Sequence, residues 1–224
     1  MTKIKKFSFD DWKFDSGLDH SYRRYYVGVF KGVRCFIKIS KNDLTVFNEI
    51  CVSEDLPAYS FVPKTLFTDK SFNGGFLLVQ ERLFHLINLE FKTEKQFENV
   101  CVQFNNILDC FNAISLVHCD VHRGNLMIDK RSKRLLLLDF GISKFANKYN
   151  MIDYLARPGT FYQHFTKNNC LFRKYDDAYS FVKETERMNV PPSWKECLSY
   201  QKICTKVGRN TIDIVEEVLN DDKK

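Results

Sequence analysis

The residues whose types could carry out chemistry lie in two short segments of this chain. His-Cys-Asp-Val-His-Arg-Gly-Asn occupies residues 118–125, and Asp-Phe-Gly follows at residues 139–141. These segments supply two carboxylates, Asp120 and Asp139, and one carboxamide, Asn125. Oxygen ligands of this kind suit Mg²⁺, and phosphoryl transfer to a hydroxyl also needs an acceptor for the hydroxyl proton. The residue types therefore indicate magnesium-dependent phosphoryl transfer, provided that they face one volume.

The stretch between the two segments is expected to bring them together. Residues 126–128 are apolar, residues 129–134 are mostly polar, and residues 135–138 are again apolar, which predicts two strands joined by a turn. The two ends of a hairpin are neighbours in space. The loop before this hairpin and the aspartate after it should therefore share one small volume.

Both segments resemble motifs of the protein-kinase superfamily, the catalytic loop H-x-D-x-x-x-x-N and the metal-binding D-F-G. The resemblance implies that ATP and Mg²⁺ bind here, with Asp120 as catalytic base. It also implies that Asn125 is a ligand of a second Mg²⁺ and that Asp139 is the principal metal ligand. The alternative is that Asp120 caps a turn and Asp139 merely ends a strand. The compound pattern favours the kinase interpretation over either short motif alone.

A lysine near the N-terminus is the expected contact for the phosphates. Strands are predicted at residues 25–30 and 33–39 around the turn Lys31-Gly32, and Lys38 lies among apolar residues of the second strand. An ammonium group in such surroundings is costly unless an anion pairs with it. By the kinase resemblance, Lys38 corresponds to the V-A-I-K lysine that holds the α- and β-phosphates. The alternative is an edge-strand lysine that points to solvent.

A helix from residue 44 to about Glu54 should supply the partner of that lysine, with Asn42 or Asp43 as its cap. By the kinase resemblance, Glu49 forms the ion pair with Lys38. The spacing between them is short for the family, so Glu54 remains a rival.

Nucleotide contacts from the backbone are expected at two further places. The glycine-rich loop of kinases is replaced by Asp-Ser-Gly-Leu-Asp-His-Ser-Tyr at residues 15–22, where Ser16, Gly17 and Ser21 would cover the phosphates instead. After strands predicted at residues 64–68 and 75–80, Gln80-Glu-Arg-Leu83 resembles the hinge between kinase lobes. There the carbonyl of Glu81 and the amide of Leu83 would bond adenine, with Gln80 as gatekeeper.

Three later segments complete the resemblance. Thr93 and Gln96 form a capping box before a phenylalanine-rich helix, which we interpret as core packing. Residues 157–162 resemble the G-T-x-x-Y part of a kinase substrate platform, so Thr160 would bond the catalytic aspartate. Asp177 begins a D-x-Y-S segment and would accept hydrogen bonds from the catalytic-loop backbone. The alternative for Asp177 is an ordinary carboxylate at a helix N-terminus.

These elements predict an α+β, bilobal protein-kinase-like fold. Residues 1–80 would form a small antiparallel β N-terminal lobe with one helix, residues 81–84 the hinge, and residues 85–224 a truncated, mainly helical C-terminal lobe. No A-P-E motif follows Thr160, and the chain is too short for all the substrate-binding helices of a full protein kinase. We therefore expect a minimal kinase.

Composition excludes several other classes. The 224 residues are 44% hydrophobic and include 21 phenylalanines, which is typical of a folded protein. A net charge of +6 without a dense basic block would attract ATP or an acidic partner, but it does not indicate nucleic-acid binding. Eight cysteines without a C-x-x-C pair predict reduced thiols and a cytoplasmic location. No signal peptide or membrane span is expected, and delivery into a host cell by a specialised system is compatible with the same sequence.

The sequence is compatible with two classes of acceptor substrate, a small molecule or a protein. His122 and the residues after it resemble the H-x-D-x-H-x-G-N loop of aminoglycoside phosphotransferases and lipopolysaccharide-core sugar kinases. The D-F-G motif, Thr160 and Asp177 instead favour a Ser/Thr protein kinase acting on a protein substrate. Cys119 stands where regulated kinases carry an arginine for a loop phosphate, so we predict constitutive activity. A third possibility is a non-catalytic, kinase-like module that binds a protein partner.

Overall fold

The structure of this chain is a computed structural model. It covers residues 23–41, 43–56, 59–145, 161–167 and 170–217, with the backbone alone at residues 23, 24, 161–167, 170–173 and 213–217. Within those ranges the chain has a mixed α+β, kinase-like bilobal fold with antiparallel sheets and four α-helices.

The N-terminal region is a four-stranded antiparallel sheet with strand order β1-β2-β4-β3. The strands are β1 (Arg23–Phe30), β2 (Val33–Ser40), β3 (Thr65–Phe72) and β4 (Gly75–Glu81). Lys31 and Gly32 have φ of 51° and 79°, as a tight two-residue hairpin turn requires. The predicted hairpin between β1 and β2 is therefore confirmed.

One helix, α1 (Leu44–Asp55), packs against this sheet. Asp43 caps it, because its side chain accepts hydrogen bonds from the Thr45 backbone N–H at 2.9 Å and the Thr45 hydroxyl at 2.7 Å. Asn42, the other predicted cap, lies outside the described residues. The two sheet faces bury different side chains, since Val79 packs on one face with Ile37 whereas Leu78 packs on the other with helix α1.

The rest of the described chain combines helices with three small sheets. Its elements are β5 (Leu86–Asn88), α2 (Glu94–Ala113), β6 (Leu116–Val117), β7 (Leu126–Asp129), β8 (Leu135–Leu137), β9 (Lys144–Phe145), β10 (Phe161–Lys167), β11 (Cys170–Asp176), α3 (Asp177–Arg187), α4 (Leu198–Lys206) and β12 (Thr211–Glu217). None of the described helices is long and apolar enough to cross a lipid bilayer.

Helix α2 and the β7–β8 hairpin form where the sequence predicted them. The Thr93 hydroxyl accepts a hydrogen bond from the Gln96 N–H at 3.3 Å, and the Gln96 side chain accepts one from the Lys92 N–H at 3.0 Å. The apolar face of α2 is buried in a cluster shared with α3 and α4, where the rings of Phe104 and Phe181 stack with centroids 4.2 Å apart. Strand β5 adds a third strand to the hairpin.

A sheet that the sequence did not predict lies after the D-F-G motif of residues 139–141. Strands β10, β11 and β12 pair antiparallel in that order. The sequence patterns predict no strand over residues 161–167, 170–176 or 211–217. The C-terminal region therefore contains this sheet in addition to its helices. The predicted boundaries at residues 80 and 84 stay predictions, although β4 ends at Glu81 beside them.

Candidate active site

The catalytic-loop residues lie together at the entrance of the β7–β8 hairpin. Asp120 and Asn125 are 8% and 9% exposed. The Asn125 amide nitrogen donates hydrogen bonds to the backbone carbonyl of Asp120 at 3.0 Å and to its carboxylate Oδ2 at 3.1 Å. One side chain thus fixes both the loop and the carboxylate that is the predicted base.

Asp177 holds the loop from beneath. Its carboxylate accepts hydrogen bonds from the backbone N–H groups of His118 at 2.7 Å and Cys119 at 3.1 Å. Burial raises the pKa of Asp177 to about 7, while the two backbone hydrogen bonds oppose that shift. Cys119 has a φ of 67°, so these bonds stabilise a backbone conformation that few residues other than glycine adopt. The predicted contact between Asp177 and the catalytic-loop backbone is confirmed.

His118 joins the loop to the far end of the hairpin, a role that the sequence analysis did not assign to it. Its Nδ1 accepts the Asp120 N–H at 3.2 Å, so the proton is on Nε2, which donates to the Leu138 carbonyl at 3.0 Å. Burial lowers the pKa of His118 to about 4, which keeps the ring neutral at pH 7. In the sequence, only its position as the first residue of the H-x-D-x-x-x-x-N motif indicated that His118 could matter.

The segment predicted to bind metal, residues 139–141, begins directly after that contact. Asp139 has φ 62° and ψ 73°, and its side chain is 51% exposed. Phe140 is buried, with its ring edge-on to that of His118 at a centroid distance of 4.7 Å. The left-handed conformation of Asp139 therefore turns the carboxylate outward while the next side chain enters the core.

The lysine of strand β2 lies between two carboxylates. Lys38 Nζ is 2.5 Å from Glu49 Oε2 and 3.9 Å from Asp139 Oδ1. Burial acts to lower the pKa of Lys38, but the charges of Glu49 and Asp139 outweigh it and the pKa is raised. The partner is Glu49 and not its rival, since Glu54 forms an exposed ion pair with Lys70 at 2.8 Å.

The hinge segment leaves the sheet at the end of β4. The Glu81 N–H donates to the Lys64 carbonyl at 2.8 Å, and the Arg82 N–H donates to the Arg34 carbonyl at 3.0 Å. Gln80 is buried and lines a cavity of about 20 Å³ together with Glu49, Asp139 and Phe140. Adenine contacts from the Glu81 carbonyl and the half-buried Leu83 stay a prediction.

Four predicted contacts cannot be placed. Ser16, Gly17, Ser21 and Thr160 lie outside the described residues.

A histidine borders the base on its other side. His122 Nε2 lies 3.6 Å from Asp120 Oδ2, and His122 Nδ1 accepts the Gly124 N–H at 3.0 Å. A Cβ atom at Gly124 would lie 2.7 Å from the histidine ring, so residue 124 must lack a side chain for the ring to take this position. The sequence marked His122 as a family signal, but it did not indicate this packing.

The side chains at this site that could bind a metal ion carry oxygen donors, which suit Mg²⁺. The part of the chain that the structure describes contains no cluster of three or more His, Cys, Asp or Glu side chains suited to a metal. Mg²⁺ commonly uses one or two carboxylates and completes its shell with phosphate oxygens and water. Asp139 and Asn125 could supply the protein ligands for such an ion, since the Asn125 backbone carbonyl accepts a hydrogen bond at 2.9 Å from the N–H of Leu138, the residue before Asp139.

Comparison with known families shows that residues 87–169 are similar to the ABC1 atypical kinase-like domain. The matched segment contains Asp120, Asn125 and Asp139 but not Lys38 or Glu49. This part of the chain is therefore similar to an atypical kinase-like domain, and the match does not single out eukaryotic protein kinases or aminoglycoside phosphotransferases. A search of curated proteins gave no match.

Proposed function

We propose that this protein is an ATP- and Mg²⁺-dependent phosphotransferase that moves the γ-phosphate of ATP to a hydroxyl group. The observation that carries the proposal is the position of Lys38, whose ammonium group lies 2.5 Å from Glu49 and 3.9 Å from Asp139. A half-buried cation between a helix carboxylate and an exposed aspartate is suited to phosphates on one side and their metal ion on the other. The kinase-like family match to the segment around Asp139 supports the same reaction class.

Each proposed residue has a separate task. Glu49 orients Lys38, which would bind the phosphates of ATP. Asp139 and Asn125 would hold Mg²⁺, which supplies charge neutralisation for the transferred group. Asp120 would accept the proton of the incoming hydroxyl, and its position depends on the Asn125 side chain that bonds its carboxylate. We propose that the phosphates are covered by Ser16, Gly17 and Ser21 and that adenine is bonded by the backbone of Glu81 and Leu83. Thr160 would bond the catalytic aspartate, Asp120.

A protein hydroxyl, on serine or threonine, is our first choice of acceptor. Asp177 supports it, because the D-x-Y-S segment makes the loop contact expected for protein kinases. A small-molecule or sugar acceptor is the second candidate. It is favoured by His122, since this ring lies beside the proposed base where many protein kinases carry a lysine. A non-catalytic binding module is the least favoured, because a scaffold has no chemical need for Lys38, Asp120 and Asp139 together.

A reducing, cytoplasmic location is part of the proposal. The cysteines that the structure describes with side chains are all free thiols. Most of them are packed in apolar surroundings, and burial raises the pKa of thiols such as Cys101 and Cys110. Protonated thiols of this kind react slowly with oxidants, which is compatible with a structural role in a reduced protein.

The test is a transfer assay with γ-labelled ATP and Mg²⁺, using a protein extract, a sugar panel and aminoglycosides as separate acceptors. Wild-type protein is expected to label one acceptor class, and Asp139→Ala is expected to label none. A matched control is Asp129→Ala. Asp129 lies on the same hairpin, but its carboxylate accepts hydrogen bonds from Arg131 and Ser132 in the turn and not from the catalytic loop. Absence of both nucleotide binding and transfer in the wild type would favour the binding module instead.

A further inference from the structure

The helix that carries Glu49 is tied to the metal-binding segment by a neutral side chain. The amide nitrogen of Asn48 donates hydrogen bonds to the carbonyls of Phe140 at 3.2 Å, Gly141 at 3.1 Å and Ser143 at 2.8 Å. Three carbonyl acceptors around one side chain require a donor, so the amide nitrogen and not the amide oxygen must face them. These bonds cap a short 3-10 turn directly after Asp139.

The same face of α1 makes the other contacts with this segment. Thr45, Asn48, Glu49 and Val52 follow the spacing of one helix face. A Cβ atom on Gly141 would lie 3.0 Å from the Cβ of Thr45, so the helix and the turn approach closely there. Because Asn48 and Glu49 are adjacent on a rigid helix, a shift of α1 that broke the Asn48 bonds would also move Glu49 away from Lys38.

A second hydrogen bond extends this connection to the catalytic loop. The hydroxyl of Ser143 donates to the His118 carbonyl at 3.2 Å. Since Asn48 bonds the Ser143 carbonyl, a two-step polar path joins α1 to the loop that presents Asp120. Asn48 therefore connects the three parts of the proposed site, the phosphate-binding pair, the metal ligand and the base.

We propose that Asn48 is a positioning residue that holds α1 against the metal-binding segment, so that the Lys38–Glu49 pair is assembled without phosphorylation of the following loop. The proposal rests on the phosphotransferase function proposed above and concerns its regulation. In regulated kinases a loop phosphate that pairs with the arginine before the catalytic aspartate orders the site, and this chain has Cys119 there. The Asn48 amide, which is always present, orders the site in place of a phosphate. The unphosphorylated protein is therefore the active form.

The first experiment compares two substitutions at Asn48. Asn48→Ala removes the donor and is expected to lower kcat about 10- to 100-fold, from the loss of two or three hydrogen bonds. Asn48→Asp keeps the shape but places a carboxylate against three carbonyl oxygens, so it is expected to be at least as inactive as Asn48→Ala. If the side chain only filled space, Asn48→Asp would instead be the more active of the two, which would overturn the proposal.

Controls separate positioning from general stability. Glu54→Ala changes an exposed side chain on the same helix and is expected to keep the wild-type kcat. Phosphatase-treated wild-type protein is also expected to keep its kcat, and loss of activity on treatment would contradict the proposed internal ordering.

Hydrogen exchange of residues 44–55 gives a readout that does not need activity. Asn48→Ala is expected to speed exchange of these amides about 10-fold relative to wild type, whereas Glu54→Ala leaves it unchanged. A wild-type protein that transfers no phosphate but shows this exchange pattern would refute the proposed function and retain the helix contact. Equal exchange in wild type and Asn48→Ala would refute the role of Asn48, whatever the activity.

Discussion

The catalytic loop and helix α1 are held in place by different means. The loop lies on the large C-terminal core, and buried side chains of Asp177 and His118 bond its backbone. Helix α1 packs Val46 and Ile50 in a small N-terminal cluster and Val52 in the large core, and the Asn48 amide and the Lys38–Glu49 ion pair connect it to the rest of the site. The comparison indicates that the geometry around Asp120 is set within the folding core, whereas the geometry around Lys38 depends on a few polar contacts in addition to the apolar packing of α1.

Chemistry can be separated from support by changing the proposed base alone. Asp120→Asn keeps the size of the side chain and removes its ability to accept a proton. We expect phosphate transfer to fall by about 10²- to 10⁴-fold, the usual contribution of a general base, with little change in unfolding. Steady-state kinetics with the labelled-ATP assay measure the effect. A variant with more than half of the wild-type rate would exclude Asp120 as the base.

Breaking the support of the loop should cost stability as well as activity. Asp177→Ala leaves the N–H groups of His118 and Cys119 buried without their acceptor. We expect the free energy of unfolding to drop by about 2 to 5 kcal/mol, measured by urea denaturation. As a comparison, Asp109→Ala removes an exposed carboxylate whose partner is Lys206 and should cost less than about 1 kcal/mol. Similar losses for the two variants would contradict the difference between core and surface.

The pH dependence of stability tests the second support of the loop. His118 has a pKa of about 4 in the folded chain against an ordinary value of 6.5, so the folded state resists a proton that the unfolded state accepts. Its stabilising contribution is complete above pH 6.5 and is lost as the pH falls through 4, by up to about 3 kcal/mol. Denaturation of wild type and His118→Gln between pH 7 and 4 should therefore show the steeper decline in wild type. Parallel profiles would mean that His118 titrates normally.

The smallest effect is expected on the solvent side of α1. Lys70→Ala removes the exposed ion pair with Glu54, and such pairs contribute about 0 to 1 kcal/mol. The activity of this variant should equal that of the wild type, because the Lys70–Glu54 ion pair involves neither Lys38 nor Asp139. A marked loss of activity would show that α1 is positioned from its outer face, contrary to the comparison above.

The local parts of the site could be predicted from the sequence. Residues close together in the chain determine the Asp120 loop, the β7–β8 hairpin and the helix caps at Asp43 and Thr93. Motifs and hydrophobic periodicity were therefore sufficient to predict them. The kinase resemblance also gave the Asp177 contact, which links distant positions.

The remaining features depend on packing that the sequence does not display. Asn48 belongs to no motif, and an asparagine within a helix gives no sign that carbonyls from a later turn surround it. The β10–β11–β12 sheet pairs strands across a helical segment, and no local pattern specifies that pairing. The choice of Glu49 over Glu54 likewise required the orientation of α1 on the sheet.

The most direct test of the central claim is calorimetric titration of Mg·ATP into wild type, Lys38→Met, Asp139→Asn and the double variant. If one nucleotide–metal complex lies between these two side chains, each single change should weaken binding about 10-fold or more. The double variant should then lose less than the sum of the two, because the sites are coupled. Wild-type protein that binds no Mg·ATP, or single variants that bind it with wild-type affinity, would contradict the account.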